Sequence, residues 1–217
     1  MSRFGRLFEK FRPARAAEHE EAEAQRDEMR WIVAGLGNPG EQYRRSRHNA
    51  GFMVAQRLAA KGGAELNRRK FNGFYAEIRT EAGAAIVVMP QTFYNRSGEC
   101  IAGMTGYFKV PVERLIVVHD EMDLPMGQLR IKRGGSDAGN RGVRSVAESI
   151  GSPEFIRVRI GIGHPEGAGD SIHHVLQPLT AAEMRGFEAA IERAADAVGA
   201  IMRDGLERAM NVYNQRV

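Results

Sequence analysis

The chain has 217 residues, 31 Lys and Arg against 27 Asp and Glu, and 43% hydrophobic residues. At roughly 150 residues per domain this length predicts one domain with an appendage, and the apolar content excludes wholesale disorder. Cys100 is the only cysteine, which excludes a disulfide framework or a cysteine zinc cage and points to a reducing, cytoplasmic compartment. No run approaches the roughly 20 apolar residues of a membrane span, and the first residues lack the apolar core of a secretory signal. The net charge of +4 permits a polyanionic partner without demanding one.

Residues 1–28 differ from the rest. Phe4, Leu7, Phe8 and Phe11 stand at i, i+3, i+4, i+7 among arginines, and an acidic stretch without an apolar stripe follows. The stripe suits a short amphipathic helix, while the composition as a whole favours a flexible extension outside the domain. From residue 29 to 217 strand and helix signals alternate. Strands are expected at 31–34, 74–79, 84–89, 115–118, 128–133 and 156–163, and helices at 49–61, 97–109, 140–150 and 180–204. The last helix carries the strongest signal. Thr180 and Glu183 form a capping-box pattern, and Met184, Phe187, Ile191, Ala195, Val198 and Met202 follow as a stripe. Together these elements predict a single α/β domain, with a central mixed, twisted sheet covered by helices on both faces.

Four motifs carry chemistry. Gly35-Leu36-Gly37-Asn38-Pro39-Gly40 follows a strand and matches the bare dinucleotide pattern. The polar EQYRRSRHN after it lacks the packing residues of a phosphate-binding helix, so a loop holding Asn38 over a crevice at the strand's carboxyl end is the better reading. The second motif, residues 43–51, carries His48. The run His119-Asp120-Glu121-Met122-Asp123 ends another strand and offers Asp120 to orient that imidazole, leaving its other nitrogen free as a base. A metal set of His119, Asp120, Glu121 and Asp123 is the weaker reading, because adjacent strand residues point to opposite faces. In the third motif, residues 90–99, Asn95 supplies a neutral donor and acceptor, Phe93 offers a stacking ring, and Ser97 is expected to cap the next helix. Cys100 after it reads as a small core residue. The fourth, residues 134–142, is a glycine-rich loop preceded by Arg130, Lys132 and Arg133. No P-loop and no nucleophile elbow occur.

In this order and spacing the motifs resemble those of the bacterial-type peptidyl-tRNA hydrolases. VAGLGNPG, YRRSRHNAG, the FNG at 71–73, PQTFYNRSG, HDEMDLPMGQLRIKRGG, RVRIGIGHP and AMNVYN carry the resemblance over residues 31–214. It implies a cofactor-free monomer that cleaves the ester between a peptide and the 3′-terminal ribose of tRNA. It also implies His48 as base with Asp120 as its carboxylate partner, and Asn38 and Asn95 positioning the ester and the peptide. Tyr43 and Phe93 would belong to the substrate-binding set, with Phe93 at the terminal nucleotide. Lys132 and Arg159 would grip the 5′-phosphate of the acceptor stem, with Arg130 on the same face as Lys132. Such a grip gives affinity without reading bases.

Three departures from the pattern matter. Where the family commonly reads G-G-H-N-G this chain has Ala138-Gly139-Asn140-Arg141-Gly142, so Asn140 and Arg141 replace a histidine and an asparagine. Tyr94 stands where methionine is common, and Ser46 where threonine is. On this reading Asn140 still supplies an amide to the site and Arg141 faces the polyanionic substrate. An imidazole titrating near pH ~6.5 takes a water's proton at working pH. The rival class is a relative that binds RNA but has lost turnover; an intact His48, Asp120, Asn38 and Asn95 favour the enzyme.

Overall fold

The structure is a computed structural model describing residues 30–165 and 170–215. The extension at residues 1–28 and its Phe4–Phe11 stripe lie outside the described residues. In chain order the strands are β1 (Trp31–Gly35), β2 (Arg68–Lys70), β3 (Gly73–Thr80), β4 (Gly83–Pro90), β5 (Leu115–Glu121), β6 (Leu129–Arg133) and β7 (Ile156–Gly161). The helices are α1 (Ala50–Lys61), α2 (Ser97–Phe108), α3 (Arg141–Ile150), α4 (Ser171–Leu176), α5 (Ala181–Asp204) and α6 (Leu206–Tyr213).

One seven-stranded sheet runs in the order β2-β3-β4-β1-β5-β7-β6. β4, β1, β5 and β7 are parallel, while β2, β3 and β6 pair antiparallel with their neighbours. Alternation along the central strands sends side chains to both faces, and both faces are covered, as expected. Val33, Val87, Ile116, Val118 and Val158 pack under α1 and under Phe187, Ile191 and Val198 of α5. Ile32, Ala34, Leu115 and Val117 pack against Ile101 and Met104 of α2 and Val143 and Val146 of α3. Near-continuous apolar strands of this kind belong to a parallel sheet buried on both faces.

The predicted elements occur with shifted ends. β5 runs on through His119, Asp120 and Glu121, all three buried, with His119 Nδ1 and both carboxylates engaged by partners in the fold. β7 stops at Gly161, where the 124–128 turn packs so closely that a Cβ would lie 1.9 Å from the Pro125 carbonyl oxygen. Ser97 does not cap α2. It is the first residue of the helix, and its hydroxyl donates back to the Tyr94 carbonyl at 2.9 Å. Thr180 and Glu183 do form the capping box of α5.

β2, α4 and α6 are not among the expected elements. β2 is all basic (Arg68, Arg69, Lys70) and becomes a strand only by pairing with β3, its guanidinium groups lying over Tyr75 and Phe74. At the other edge, β6 is closed by a side chain. The Asn214 carboxamide accepts from the Ile131 N–H at 2.6 Å and donates to its carbonyl at 3.0 Å, as a neighbouring strand would.

Candidate active site

The loops after β1, β4 and β5 open at the same end of the sheet, where α/β folds place their ligands. The approach of α1 to β1 is close. A Cβ on Gly35 would lie 2.1 Å from the Gly51 carbonyl oxygen, and one on Gly51 would lie 2.3 Å from that of Val118. Gly35 and Gly37 of the first motif therefore serve packing against α1, a Cβ on Gly37 falling 2.6 Å from the Phe52 ring. No phosphate-binding helix opens at Gly40; a single 3₁₀ turn, Glu41–Tyr43, follows it.

Between these loops, the start of α3 and the short α4 lies a cleft of about 500 Å³. Asn38, Tyr43, His48, Phe93, Asn95, Asp120, Asn140 and Arg141 all line it. The sequence motifs are thus brought together from segments up to about a hundred residues apart.

His48, Asp120, Asn38 and Asn140 are each held by a neighbour. His48 sits in a 3₁₀ turn just before α1, and its Nδ1 lies 2.9 Å from Asp120 Oδ2. Its Nε2 has no partner among the described residues. Asp120 is 3% exposed, and its other oxygen accepts the Tyr94 hydroxyl at 2.8 Å. Burial alone would raise the Asp120 carboxyl. The charge and hydrogen bond of His48, with the Tyr94 hydroxyl, outweigh it and hold the carboxyl below its ordinary value. With both oxygens so used, and Glu121 held by Arg159, these carboxylates are spoken for within the protein.

Asn38 is fixed by Asn49. The Asn38 N–H donates to Asn49 Oδ1 at 2.8 Å, and Asn49 Nδ2 donates to the Asn38 carbonyl at 3.0 Å. Asn38 Oδ1 accepts the Tyr94 backbone N–H at 2.9 Å, which leaves its Nδ2 as the donor facing outward. Phe93 is 66% exposed at the cleft wall. Asn140 is engaged on both sides. Its Oδ1 caps α3 by accepting the N–H groups of Gly142 and Val143, and its Nδ2 donates to the Tyr94 hydroxyl at 2.9 Å. Arg141 is exposed at the rim.

Arg130, Lys132 and Arg159 lie outside the cleft lining, on β6 and β7. The register places Arg130 opposite Arg159 and Lys132 opposite Arg157, so all four cations share one face. Arg157 is buried, its guanidinium donating to the Ser136 and Gly135 carbonyls of the glycine-rich loop. Arg159 Nε donates to Glu121 Oε2 at 2.9 Å. Burial, then the neighbouring Arg159 and Arg157, lower the Lys132 ammonium below its ordinary value.

Sequence reasoning singled out Tyr94 only as a departure, weighed Glu121 only as a metal ligand, and passed over α4 and the role of Asn49. Asn49 stood inside a quoted motif with nothing local to show that it pins the loop after β1. α4 had a usable signal: Asp170 caps it, and Ile172, Val175 and Leu176 follow at helical spacing and line the cleft.

Comparison with known proteins agrees with this geometry. Residues 32–217 match the family model described as peptidyl-tRNA hydrolase. A peptidyl-tRNA hydrolase of Frankia casuarinae is 45% identical over 184 residues, 85% of this chain and 93% of that protein. One from Caldanaerobacter subterraneus subsp. tengcongensis is 45% identical over 85% of this chain and 99% of its own length. The crystal structure of peptidyl-tRNA hydrolase from Acinetobacter baumannii superposes with a TM-score of 0.79 at 34% identity, covering 86% of this chain and 95% of that one. With the match running through every strand and through each loop that lines the cleft, this chain belongs to the peptidyl-tRNA hydrolase family.

Proposed function

We propose that this chain hydrolyses the ester joining peptide to tRNA in peptidyl-tRNA, with His48 as general base. The observation that carries the reading is the His48 Nδ1–Asp120 Oδ2 contact of 2.9 Å at the floor of the cleft. A carboxylate on Nδ1 fixes the tautomer that leaves Nε2 unprotonated. Nε2 takes a proton from water as the water oxygen bonds to the ester carbonyl carbon. The carbonyl oxygen becomes an oxyanion, which Asn38 Nδ2 stabilises as a donor. Collapse breaks the bond to the ribose oxygen, and that oxygen takes the proton back from the imidazolium. The products are the free peptide and tRNA with its terminal hydroxyl restored. The base supplies roughly 10²–10⁴-fold and an oxyanion donor roughly 10²–10³.

Asn95, Tyr43 and Phe93 line the rest of the cleft and meet the peptide and the terminal nucleotide. Lys132 holds the 5′-phosphate beside Arg159, with Arg130 adding charge on that face. Arg141 at the rim faces the acceptor stem. Among the described residues no helix is long and apolar enough to cross a membrane, and the enzyme works as a cytoplasmic monomer without a cofactor. Residues 1–28 stand outside the catalytic unit, and a chain lacking them keeps its turnover; a lost turnover would place them inside it.

The test is release of free tRNA from a peptidyl-tRNA under single-turnover conditions. The wild-type chain releases it, and His48→Ala slows release at least about 100-fold while staying folded. Binding without release by the wild-type chain would make this an RNA-binding relative, and near-normal release by His48→Ala would remove the base.

A further inference from the structure

We propose that Tyr94 is a positioning residue for the hydrolytic pair, setting both the plane of the His48 ring and the hydrogen-bonding strength of Asp120. The proposal rests on the reading of His48 as base. Three observations carry it. The Tyr94 ring stacks on the His48 imidazole with centroids 3.5 Å apart and planes inclined by 19°. Its hydroxyl donates to Asp120 Oδ1 at 2.8 Å, while His48 holds Oδ2. Asn140 Nδ2 donates to that hydroxyl at 2.9 Å, so the phenol is directed at the carboxylate and not turned away from it. Tyr94 thus touches both members of the pair while being itself only 4% exposed.

The fold makes room for this arrangement. Gly142, the second residue of α3, has no side chain, and a Cβ there would lie 2.4 Å from Tyr94 Cε1. Asn140 caps the same helix, so the start of α3 and the phenol are fixed together. The methionine common at this place in similar enzymes could supply neither the hydroxyl nor the stacked ring. Asn140 and Tyr94, two of the departures, are therefore one linked device: the first directs the hydroxyl that the second presents.

A phenol donating to Asp120 withdraws charge from the carboxylate that His48 leans on. Without it the carboxylate stabilises the imidazolium more, and the base stays protonated to higher pH. The other titratable or charged groups lining the cleft around the imidazole are Tyr43 from its own loop, Glu121 from β5 and Arg141 from α3. Beside them, Arg47 pairs with Glu183, His119 Nδ1 meets the Asp120 carbonyl, and on α4 His173 meets Gln177 while His174 meets the Ile162 and Gly163 carbonyls. None of them touches Asp120 Oδ1 among the described residues, so they are common to wild type and variant.

The test is the titration of the His48 ring by NMR in the full chain, alongside the acid limb of kcat/KM. Tyr94→Phe keeps the ring and deletes the hydroxyl. It is expected to raise the His48 midpoint by about half a pH unit, to move the acid limb with it, and to lower kcat about 3- to 10-fold with KM within about two-fold. Should Tyr94→Phe fail to fold, 3-fluorotyrosine placed at position 94 is nearly isosteric with a more acidic phenol, and is expected to lower the midpoint instead. The His48 midpoint decides. A shift of about 0.3 unit or more in the stated direction sustains the proposal, and a smaller or opposite shift overturns it. His48→Ala measured in parallel separates the two readings. If it keeps its activity, the base assignment fails; if it is inactive and the midpoint does not move, only the role of Tyr94 fails.

Discussion

Replacing Arg159 by alanine should unsettle the fold as well as the grip on tRNA. Arg159 and Glu121 form a pair whose side chains are 15% and 6% exposed, with Nε and a terminal nitrogen at 2.9 and 2.8 Å from the same carboxylate oxygen. Deleting the cation leaves the buried Glu121 carboxylate without its partner. One-sided breakage of a buried pair costs about 3–5 kcal/mol. Arg159 is partly open to water and Lys132 carries charge nearby, so the lower end, about 3 kcal/mol, is expected, or a fall in Tm of roughly 6–12 °C for a domain of this size. Lys132→Ala orphans no carboxylate, because no ion pair joins Lys132 to an acid among the described residues. Its Tm should stay within about 2 °C, while the salt slope of tRNA binding falls by roughly 0.7–0.9, the share of one phosphate contact. The double variant Arg159→Ala/Glu121→Gln removes the orphan and should recover at least about half of the lost stability. Thermal melts of the three variants, with binding measured across a salt series, give the answer. An Arg159→Ala protein melting within about 2 °C of wild type, or a double variant no better than the single, would refute the reasoning.

Two further outcomes follow from packing and burial. Gly142→Ala would ordinarily gain up to about 1 kcal/mol of helix propensity, but its Cβ meets the rigid Tyr94 ring at 2.4 Å and Leu36 at 3.0 Å; a net loss of about 1–2 kcal/mol in denaturant unfolding is expected, and a stabilised variant would contradict the contact. His119 is buried with Nδ1 on the Asp120 carbonyl and Nε2 unpartnered, and burial lowers it to about 4. The unfolded chain then binds a proton that the native state refuses. Stability should therefore fall as pH drops from the unfolded value of about 6.5 toward 4, by at most about 3 kcal/mol. His119→Gln should flatten that part of the stability–pH curve, and an unchanged slope would count against it.

The sequence displayed what local physics writes. Thr180 and Glu183 announced α5, alternation announced β6 and β7, and the apolar run at 115–118 announced a buried strand. The motifs also showed which residues would meet, since His48, Asp120, Asn38 and Asn95 all arrive at one cleft. What stayed hidden depends on partners distant in the chain. Nothing near Arg159 foretells that Glu121, 38 residues earlier, occupies its guanidinium. Nothing near Asn140 foretells that its amide would be directed at the hydroxyl of Tyr94 rather than into the cleft. β2 was invisible because three consecutive basic residues carry no apolar period, and its pairing with β3 supplies the missing information.

The carboxamide of Asn214 on β6 bears on how the molecule behaves among its own copies. An open strand edge invites another chain to extend the sheet. Here the invitation at Ile131 is already answered by one side chain, delivered by the last turns of the described chain. The opposite border needs no such cover, because the three cations of β2 repel a second copy of themselves. A protein cut short before Asn214 would keep every residue of the cleft and lose its guard against self-association. Its failure would then show first in light scattering at high concentration, before any change in turnover per folded molecule.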